Sequence, residues 1–393
     1  MSLNDTPSGE RIHIGFFGMR NAGKSSIVNG VTGQDLSVVS DIKGTTTDPV
    51  YKAMELLPMG PVVIIDTPGY DDEGALGELR VKKTLQALNR CDCAVLVVDS
   101  GIGKQQQDKE LEEMFQKKEI PYLTVYNKSD LNSISTLDGI CVSAFRKDDM
   151  RLLKERISLL VKTDIETKKI IGDKLNTGDI AVLVVPIDSA APKGRLILPQ
   201  QQTIRDILEA DAKAIIVKEN TLKETLSDLN KKPAVVITDS QVFGKVSKDT
   251  PEDVYLTSFS ILMARYKGFL SEAVRGADVI RKLKDGDPVL ICEGCTHHRQ
   301  CDDIGTVKLP GWIRSFCGTE PEFSFTSGRE FPEDVSAYRR VIHCGGCMLN
   351  EREMRYRMKT AQDCGVPFTN YGTAIAEMHG ILKRSLEIFP ELN

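Results

Sequence analysis

Short apolar runs alternate with amphipathic stretches over roughly the first 160 residues. The runs at Arg11 to Phe17, Pro61 to Asp66, Ala94 to Asp99, Tyr122 to Asn127 and Gly139 to Val142 read as strands. Between them, Lys24 to Thr32, Glu78 to Asn89 and Gln107 to Lys118 carry apolar positions at helical spacing, and Met150 to about Val161 closes the unit. Apolar strands separated by amphipathic helices predict a parallel sheet covered on both faces.

The pattern then breaks. Lys162 to Asn176 is polar and rich in Asp, Lys and Thr, and reads as a linker. A smaller α/β unit follows, with strands at Ala181 to Ile187, Ala214 to Val217 and Ala234 to Thr238 and helices near Thr203 to Glu209 and Leu222 to Leu229. A unit this small buries a modest core, so a dimer interface is expected on it. From about Asp253 the alternation restarts. Helices are predicted at Phe259 to Tyr266, Phe269 to Leu283, Thr306 to Phe316, Glu351 to Cys364 and Thr373 to Ile388. Strands are predicted at Pro288 to Cys292, Phe323 to Thr326 and Arg340 to His343. The expected fold class is α/β in three domains: a doubly wound sheet over 1–165, then two smaller parallel-sheet domains over 175–255 and 256–393.

Composition narrows the function. The 393 residues carry a formal net charge of -5 and are 41% hydrophobic. The acidic balance argues against a general nucleic-acid or anionic-membrane partner. No apolar run reaches the length of a membrane span, and the first residues lack the basic start and apolar stretch of a secretory signal. A cytoplasmic protein is expected. Its ten cysteines are then buried thiols, metal ligands or redox groups before they are disulfides.

Gly18-Met19-Arg20-Asn21-Ala22-Gly23-Lys24-Ser25 has the spacing of a phosphate-cradling loop, with a predicted strand before it and a helix after it. The glycines let backbone N–H groups curl around phosphate oxygens, and the helix N-terminus adds its positive dipole end. Lys24 is expected to reach the outer phosphates, Ser25 to offer its hydroxyl to Mg²⁺, and Ser26 to line the same turn. Asp66-Thr67-Pro68-Gly69 supplies a carboxylate for the Mg²⁺ water shell and a glycine N–H for the γ-phosphate. Asn127-Lys128-Ser129-Asp130 also ends a strand, where open parallel sheets bind ligands. The Asp130 carboxylate can accept both the N1 and N2 hydrogens of guanine, a pair that adenine lacks. Ser143-Ala144 stands where it can touch the guanine carbonyl. GTP is the expected ligand.

This ordered set resembles the translation-factor-like GTPases, in particular the branch of tRNA-modification and ribosome-assembly GTPases. Gly44-Thr45-Thr46-Thr47-Asp48 is similar to that branch's first switch, which implies Thr46 as a Mg²⁺ and γ-phosphate ligand, although the branch usually has Arg where Thr47 stands. Tyr70 occupies the position of the water-orienting Gln of many GTPases. In the resembling branch such a loss goes with a K⁺ ion held partly by a phosphate-loop Asn, the position of Asn21. The resemblance implies slow, K⁺-stimulated hydrolysis with Lys24, Thr46, Gly69 and Asn21 as its catalytic set.

Most cysteines and four of the five histidines lie in the last third of the chain. Two segments are dense: Cys292 to Cys301, containing Cys295 and His297, and His343-Cys344-Gly345-Gly346-Cys347. Each follows a predicted strand, so both are expected at one sheet edge. Cys292, Cys295, Cys344 and Cys347 make a tetrahedral zinc set. Cys295, Cys344 and Cys347 alone make three thiolates for an iron–sulfur cluster. Spacing alone favours zinc. His297 and His343 read as ligands, outer donors or surface groups, and Cys292 reads equally as a core thiol.

Cys295-x-His297, then 45 residues, then His343-Cys344-x2-Cys347, behind such a GTPase domain, resembles the FeFe-hydrogenase maturation GTPases over the whole chain. That resemblance implies a 4Fe-4S cluster on Cys295, Cys344 and Cys347. Its fourth position would be labile or non-Cys, with His297, His343, water or a carboxylate such as Asp188 as candidates. It also implies a homodimeric scaffold and carrier. The scaffold receives a two-iron subcluster from two radical-SAM maturases and delivers it to the apo-hydrogenase. The competing reading is a ribosome- or tRNA-directed GTPase with an appended zinc module; the acidic balance and the lack of a basic, aromatic-interleaved surface count against it.

Overall fold

The computed structural model describes residues 6–33, 48–57, 59–70, 74–131, 138–161, 168–187, 196–294, 303–328 and 330–392. The chain divides into two compact units, 1–166 and 167–393.

In the first unit the strands are β1 (Ile12–Phe17), β2 (Val50–Leu56), β3 (Gly60–Asp66), β4 (Cys93–Asp99), β5 (Tyr122–Asn127) and β6 (Ile140–Cys141). They form one sheet in the order β2-β3-β1-β4-β5-β6. All neighbours are parallel except β2, which runs antiparallel to β3. The sequence reading missed β2. Its residues are mostly exposed on this edge strand, so no apolar run marks it. On the inner strands alternate side chains go to opposite faces: Ile14, Phe16, Val62 and Ile64 pack into one core, Phe17, Val63 and Ile65 into the other. Each such fully buried aliphatic or aromatic group contributes about 1.5–3 kcal/mol. The sheet is therefore the doubly wound one expected from its two-faced hydrophobicity. Connections leave β1 and β4 in opposite directions, which opens a crevice at their carboxyl ends.

The second unit holds two four-stranded parallel sheets. One comprises β7 (Ile180–Val184), β8 (Lys213–Val217), β9 (Val235–Thr238) and β10 (Tyr255–Ser258), in the order β10-β9-β7-β8. The other comprises β11 (Pro288–Glu293), β12 (Glu322–Ser327), β13 (Arg340–His343) and β14 (Phe368–Asn370), in the order β12-β11-β13-β14. A single hydrophobic cluster runs through both. The helix Phe259–Tyr266 joins them, capped by the Ser258 hydroxyl accepting from the Ile261 N–H at 3.3 Å. Its Ile261, Leu262, Met263 and Ala264 are all buried, as expected of a helix covered on more than one face.

Three helices differ from the expected spans. The stretch Thr373 to Ile388 is two helices, Tyr371–Met378 and Leu382–Leu386, parted at left-handed Gly380 (φ 69°). The stretch expected as Thr306 to Phe316 is a wide turn, Ile304–Lys308, followed by a helix, Leu309–Cys317, with Pro310 in its first turn. Proline lacks the N–H that an unbroken helix would need there. The stretch from Phe269 tightens after Ala277 into a 3-10 turn, Asp278–Lys282. Strands β10 and β14, four and three residues long, are too short to show a period in sequence.

Candidate functional site

The first site lies at the carboxyl ends of β1, β3, β5 and β6. After β1 the chain turns through three left-handed residues, Gly18 (φ 138°), Asn21 (φ 61°) and Gly23 (φ 89°), and enters the helix Lys24–Thr32. A Cβ on Gly18 would lie 2.2 Å from the Val97 carbonyl oxygen, so only glycine fits there. Lys24 is buried and its Nζ donates to the Gly18 and Met19 carbonyls at 3.0 and 2.8 Å. It thus ties the loop across the N-terminus of the helix that follows, a place suited to an anion. Ser26 is half-buried in the first turn of that helix.

The Ser25 hydroxyl donates to Asp66 Oδ2 at 2.8 Å, and Asp66 Oδ1 is buried with no hydrogen-bond partner among the described residues. An orphaned buried carboxylate oxygen beside a hydroxyl is the donor set of a hard divalent cation, so the residues fit Mg²⁺. Gly69 packs against the phosphate loop, where a Cβ would come within 2.9 Å of Arg20 Cα. The next N–H, of Tyr70, donates to the Gly18 carbonyl at 3.2 Å. The Tyr70 side chain is buried in the core with Phe17, Val63 and Ile65. Thr46 lies outside the described residues.

The base-side loops are tied to the phosphate loop by side chains. Asn127 Nδ2 donates to the Ala22 carbonyl at 3.0 Å, and its Oδ1 accepts from the Ala144 N–H at 3.3 Å. Lys128, itself left-handed (φ 64°), reaches the Asn21 carbonyl at 2.9 Å and Asp99 Oδ2 at 2.6 Å. Asp99, at the end of β4, is a contributor the sequence reading left out; its position at a strand terminus was the available signal. Asp130 is exposed, and a hydrogen bond from Ser143 holds its carboxyl below the usual range. The Ser143 N–H donates to Asp149 Oδ2 at 2.8 Å, which fixes the last loop.

The second site lies on the other sheet edge of interest. In the order β12-β11-β13-β14 the connections from β11 and β13 leave in opposite directions, so the crevice between these two strands is the place where an open parallel sheet takes a ligand. Both cysteine segments begin there. Cys292 on β11 sits opposite His343 on β13. Two residues on, the Gly294 N–H donates to Cys344 Sγ at 3.1 Å, and the Gly346 N–H approaches the same sulfur at 3.4 Å. Burial pushes the Cys344 thiol up to about 12 and the neighbouring Cys347 thiol also up. Two half-buried thiols, one already taking N–H bonds from glycines, fit the thiolate set of a cluster or a metal. Cys295 and His297 lie outside the described residues, as do Cys301 and Asp188.

Two candidates are placed differently from the ligand role weighed for them. Cys292 is fully buried in the hydrophobic core, and burial raises its thiol to about 11. His343 is also fully buried. Its Nε2 meets Arg357 Nη1 at 3.0 Å and its Nδ1 meets the Cys344 carbonyl at 2.9 Å. Burial, then the charge of Arg357, lowers its pKa to about 3. Both ring nitrogens are engaged by protein groups, the arrangement of the outer-donor alternative weighed for this histidine. Arg357 and Glu353 were not singled out in the sequence, where they look like an ordinary i, i+4 surface pair.

The fold and the first site define a P-loop GTPase domain, followed by two parallel-sheet domains with a cysteine-lined crevice. Residues 13–128 match the model of the 50S ribosome-binding GTPases. Residues 170–268 match the hydrogen maturase F dimerization domain, and residues 271–388 match the hydrogen maturase F tetramerization domain. The chain belongs to the hydrogen maturase F family, and these two domains make it a self-associating protein. The GTPase Der of Kosmotoga olearia is 35% identical over 127 residues, which is 31% of this chain and 28% of that protein. The tRNA modification GTPase MnmE of Chromobacterium violaceum is 33% identical over 156 residues, 38% of this chain and 34% of that protein. The chain thus spans about a third of the length of these curated relatives. A solved structure of Era in complex with MgGDPNP and a 16S ribosomal RNA segment aligns with a TM-score of 0.34 and 17% identity, covering 53% of this chain and 94% of that one. No helix among the described residues is long and apolar enough to cross a membrane.

Proposed function

We propose that this chain is a GTP-hydrolysing scaffold for hydrogenase maturation, which takes up a two-iron subcluster from two radical-SAM maturases and passes it to the apo-hydrogenase. The observation that carries the reading is the Gly294 N–H bond to Cys344 Sγ at 3.1 Å, which draws the cysteine segment after β11 against the one after β13. Membership of the hydrogen maturase F family supports it. Cys295, Cys344 and Cys347 would hold a 4Fe-4S cluster. When bound, the cluster supplies an iron with a replaceable fourth ligand, to which the cargo can attach. The core placement of Cys292 weighs against the four-cysteine zinc alternative. The working division is a GTPase domain (1–165), a dimerisation domain (175–255) that makes a homodimer, and a cluster domain (256–393), in a cytoplasmic protein with neither nucleic-acid nor membrane partners.

In the GTPase domain Lys24 and the N–H groups of the phosphate loop neutralise the outer phosphates, and Ser25 with Asp66 holds Mg²⁺. Thr46 and the Gly69 N–H meet the γ-phosphate, and Asp130 selects guanine. Tyr70 is turned into the core and leaves no side-chain amide to orient water. That supports a K⁺ ion, held partly by Asn21, as the source of positive charge in the transition state. Hydrolysis then acts as a slow switch. γ-Phosphate contacts order the loops around Thr46 and Gly69, and that order changes partner binding.

Anaerobic reconstitution with iron and sulfide followed by an absorption spectrum tests the scaffold reading. A brown protein whose spectrum disappears in Cys344→Ala is expected. A colourless protein holding one zinc per chain would refute it. Equal GTPase rates in KCl and NaCl would remove the role of K⁺.

A further inference from the structure

Behind the cysteine crevice lies a fully buried charged assembly that the GTPase and scaffold roles leave without a purpose. Arg357 is buried in the helix Glu351–Asp363. Its Nε donates to Glu353 Oε1 at 2.9 Å, and its Nη2 lies 2.8 Å from the same oxygen and 2.8 Å from the Gly328 carbonyl. Its guanidinium also lies 5.2 Å from the centre of the Phe331 ring. The remaining direction of the fork is Nη1, which points at His343 Nε2.

The donor inventory decides what this does. A guanidinium only donates, so His343 Nε2 must offer its lone pair, and the proton must sit on Nδ1. Nδ1–H then donates to the Cys344 carbonyl. The imidazole is held flat as well, stacked on Phe368 with ring centres 6.0 Å apart and planes 28° apart. The Cys344 peptide is therefore fixed from behind by the imidazole. Its sulfur is fixed from in front by the Gly294 and Gly346 N–H groups. Burying an ion pair is a poor way to stabilise a fold, because desolvating both charges offsets most of their attraction. What a satisfied, planar, five-donor group supplies instead is direction.

We propose that Arg357, braced by Glu353, is a positioning residue for the cluster thiolate of Cys344 and acts through a His343 that is a strut and not a ligand. This rests on the cluster reading above. The three side chains form a chain of orientation: the carboxylate sets the guanidinium, the guanidinium sets the tautomer, and the tautomer sets the peptide that carries the sulfur. Outer partners of this kind typically change metal retention by roughly 10- to 100-fold when removed.

The full-length protein, reconstituted anaerobically with iron and sulfide, provides the test. Arg357→Lys, Arg357→Met, Glu353→Gln and His343→Gln are compared with the parent, and Cys344→Ala serves as the control on the cluster reading. The readouts are iron per chain, the rate of iron removal by a chelator, and the EPR spectrum after dithionite reduction. Near-ultraviolet circular dichroism and GDP binding report on folding. Parent-like folding with roughly 10-fold faster iron loss and shifted g-values is expected in Arg357→Lys and Glu353→Gln. Unchanged chelation rate and spectrum in both would overturn the proposal, even if Arg357→Met does not fold. A strong nitrogen coupling in the pulsed EPR of the parent that vanishes in His343→Gln would also overturn it, by making His343 a ligand. A spectrum that survives Cys344→Ala would instead remove the cluster reading itself.

Discussion

Gly23→Ala is expected to weaken guanine-nucleotide binding far more than the loss of one phosphate contact would. Gly23 is left-handed (φ 89°), and a Cβ there would fall 2.2 Å from Asn127 Nδ2. Two costs follow. A non-glycine residue in the left-handed region costs about 1–2 kcal/mol. The clash also drives Asn127 from its place, which breaks its bonds to the Ala22 carbonyl and the Ala144 N–H, each worth about 0.5–1.5 kcal/mol. The sum is about 2–5 kcal/mol, or about 30-fold to a few thousand-fold in Kd at 1.4 kcal/mol per tenfold. Titration with a fluorescent GDP analogue measures it, and cluster content, which belongs to the other unit, serves as an internal control. Asn127→Ala spares the backbone and should retain about half of the loss in free energy. A Gly23→Ala protein that binds GDP within about twofold of the parent would refute the idea that Asn127 couples the phosphate loop to the base loops.

Three further outcomes are expected. Asp130→Asn should lower GTP affinity by at least about tenfold and turn preference toward xanthine nucleotides, because the amide presents one acceptor and one donor where the carboxylate presents two acceptors; unchanged selectivity in competition binding would count against Asp130 as the guanine reader. Tyr70→Gln should destabilise the GTPase domain by about 2 kcal/mol through lost burial and leave the turnover rate within about twofold, since position 70 faces the core; a tenfold rise in rate would show that the side chain can reach the nucleotide. Cys292→Ala should cost about 1 kcal/mol in urea unfolding and keep the reconstituted absorption spectrum; loss of that spectrum would restore Cys292 as a ligand.

Much of the nucleotide site was legible because its chemistry is local. Gly18 to Ser25, Asp66 to Gly69 and Asn127 to Asp130 each follow an apolar strand directly, and strand carboxyl ends of a parallel sheet meet on one edge. Glycine spacing, one lysine and one aspartate then name phosphate and guanine without any knowledge of packing. The edge strand β2 and the short β10 and β14 were not legible. Their pairing is decided by neighbours far along the chain, and their own residues show too little period.

The cysteine crevice divides in the same way. The sequence alone determined that two cysteine segments leave consecutive parts of one domain at strand ends, and it left zinc and iron–sulfur, Cys292 and His343 open. A strand points successive side chains to opposite faces, so thiols at neighbouring strand ends can have opposite fates. Only the tertiary structure shows that Cys292 turns into the core, while Cys344, one residue past its paired partner His343, takes the glycine N–H bonds. Likewise His343 reads as a ligand, an outer donor or a surface group in sequence, and only the fold brings Arg357, fourteen residues on, against its ring. Hydrogen-bond capacity is spent by whichever group packing brings closest, and that is a property of the assembled core, not of spacing along the chain.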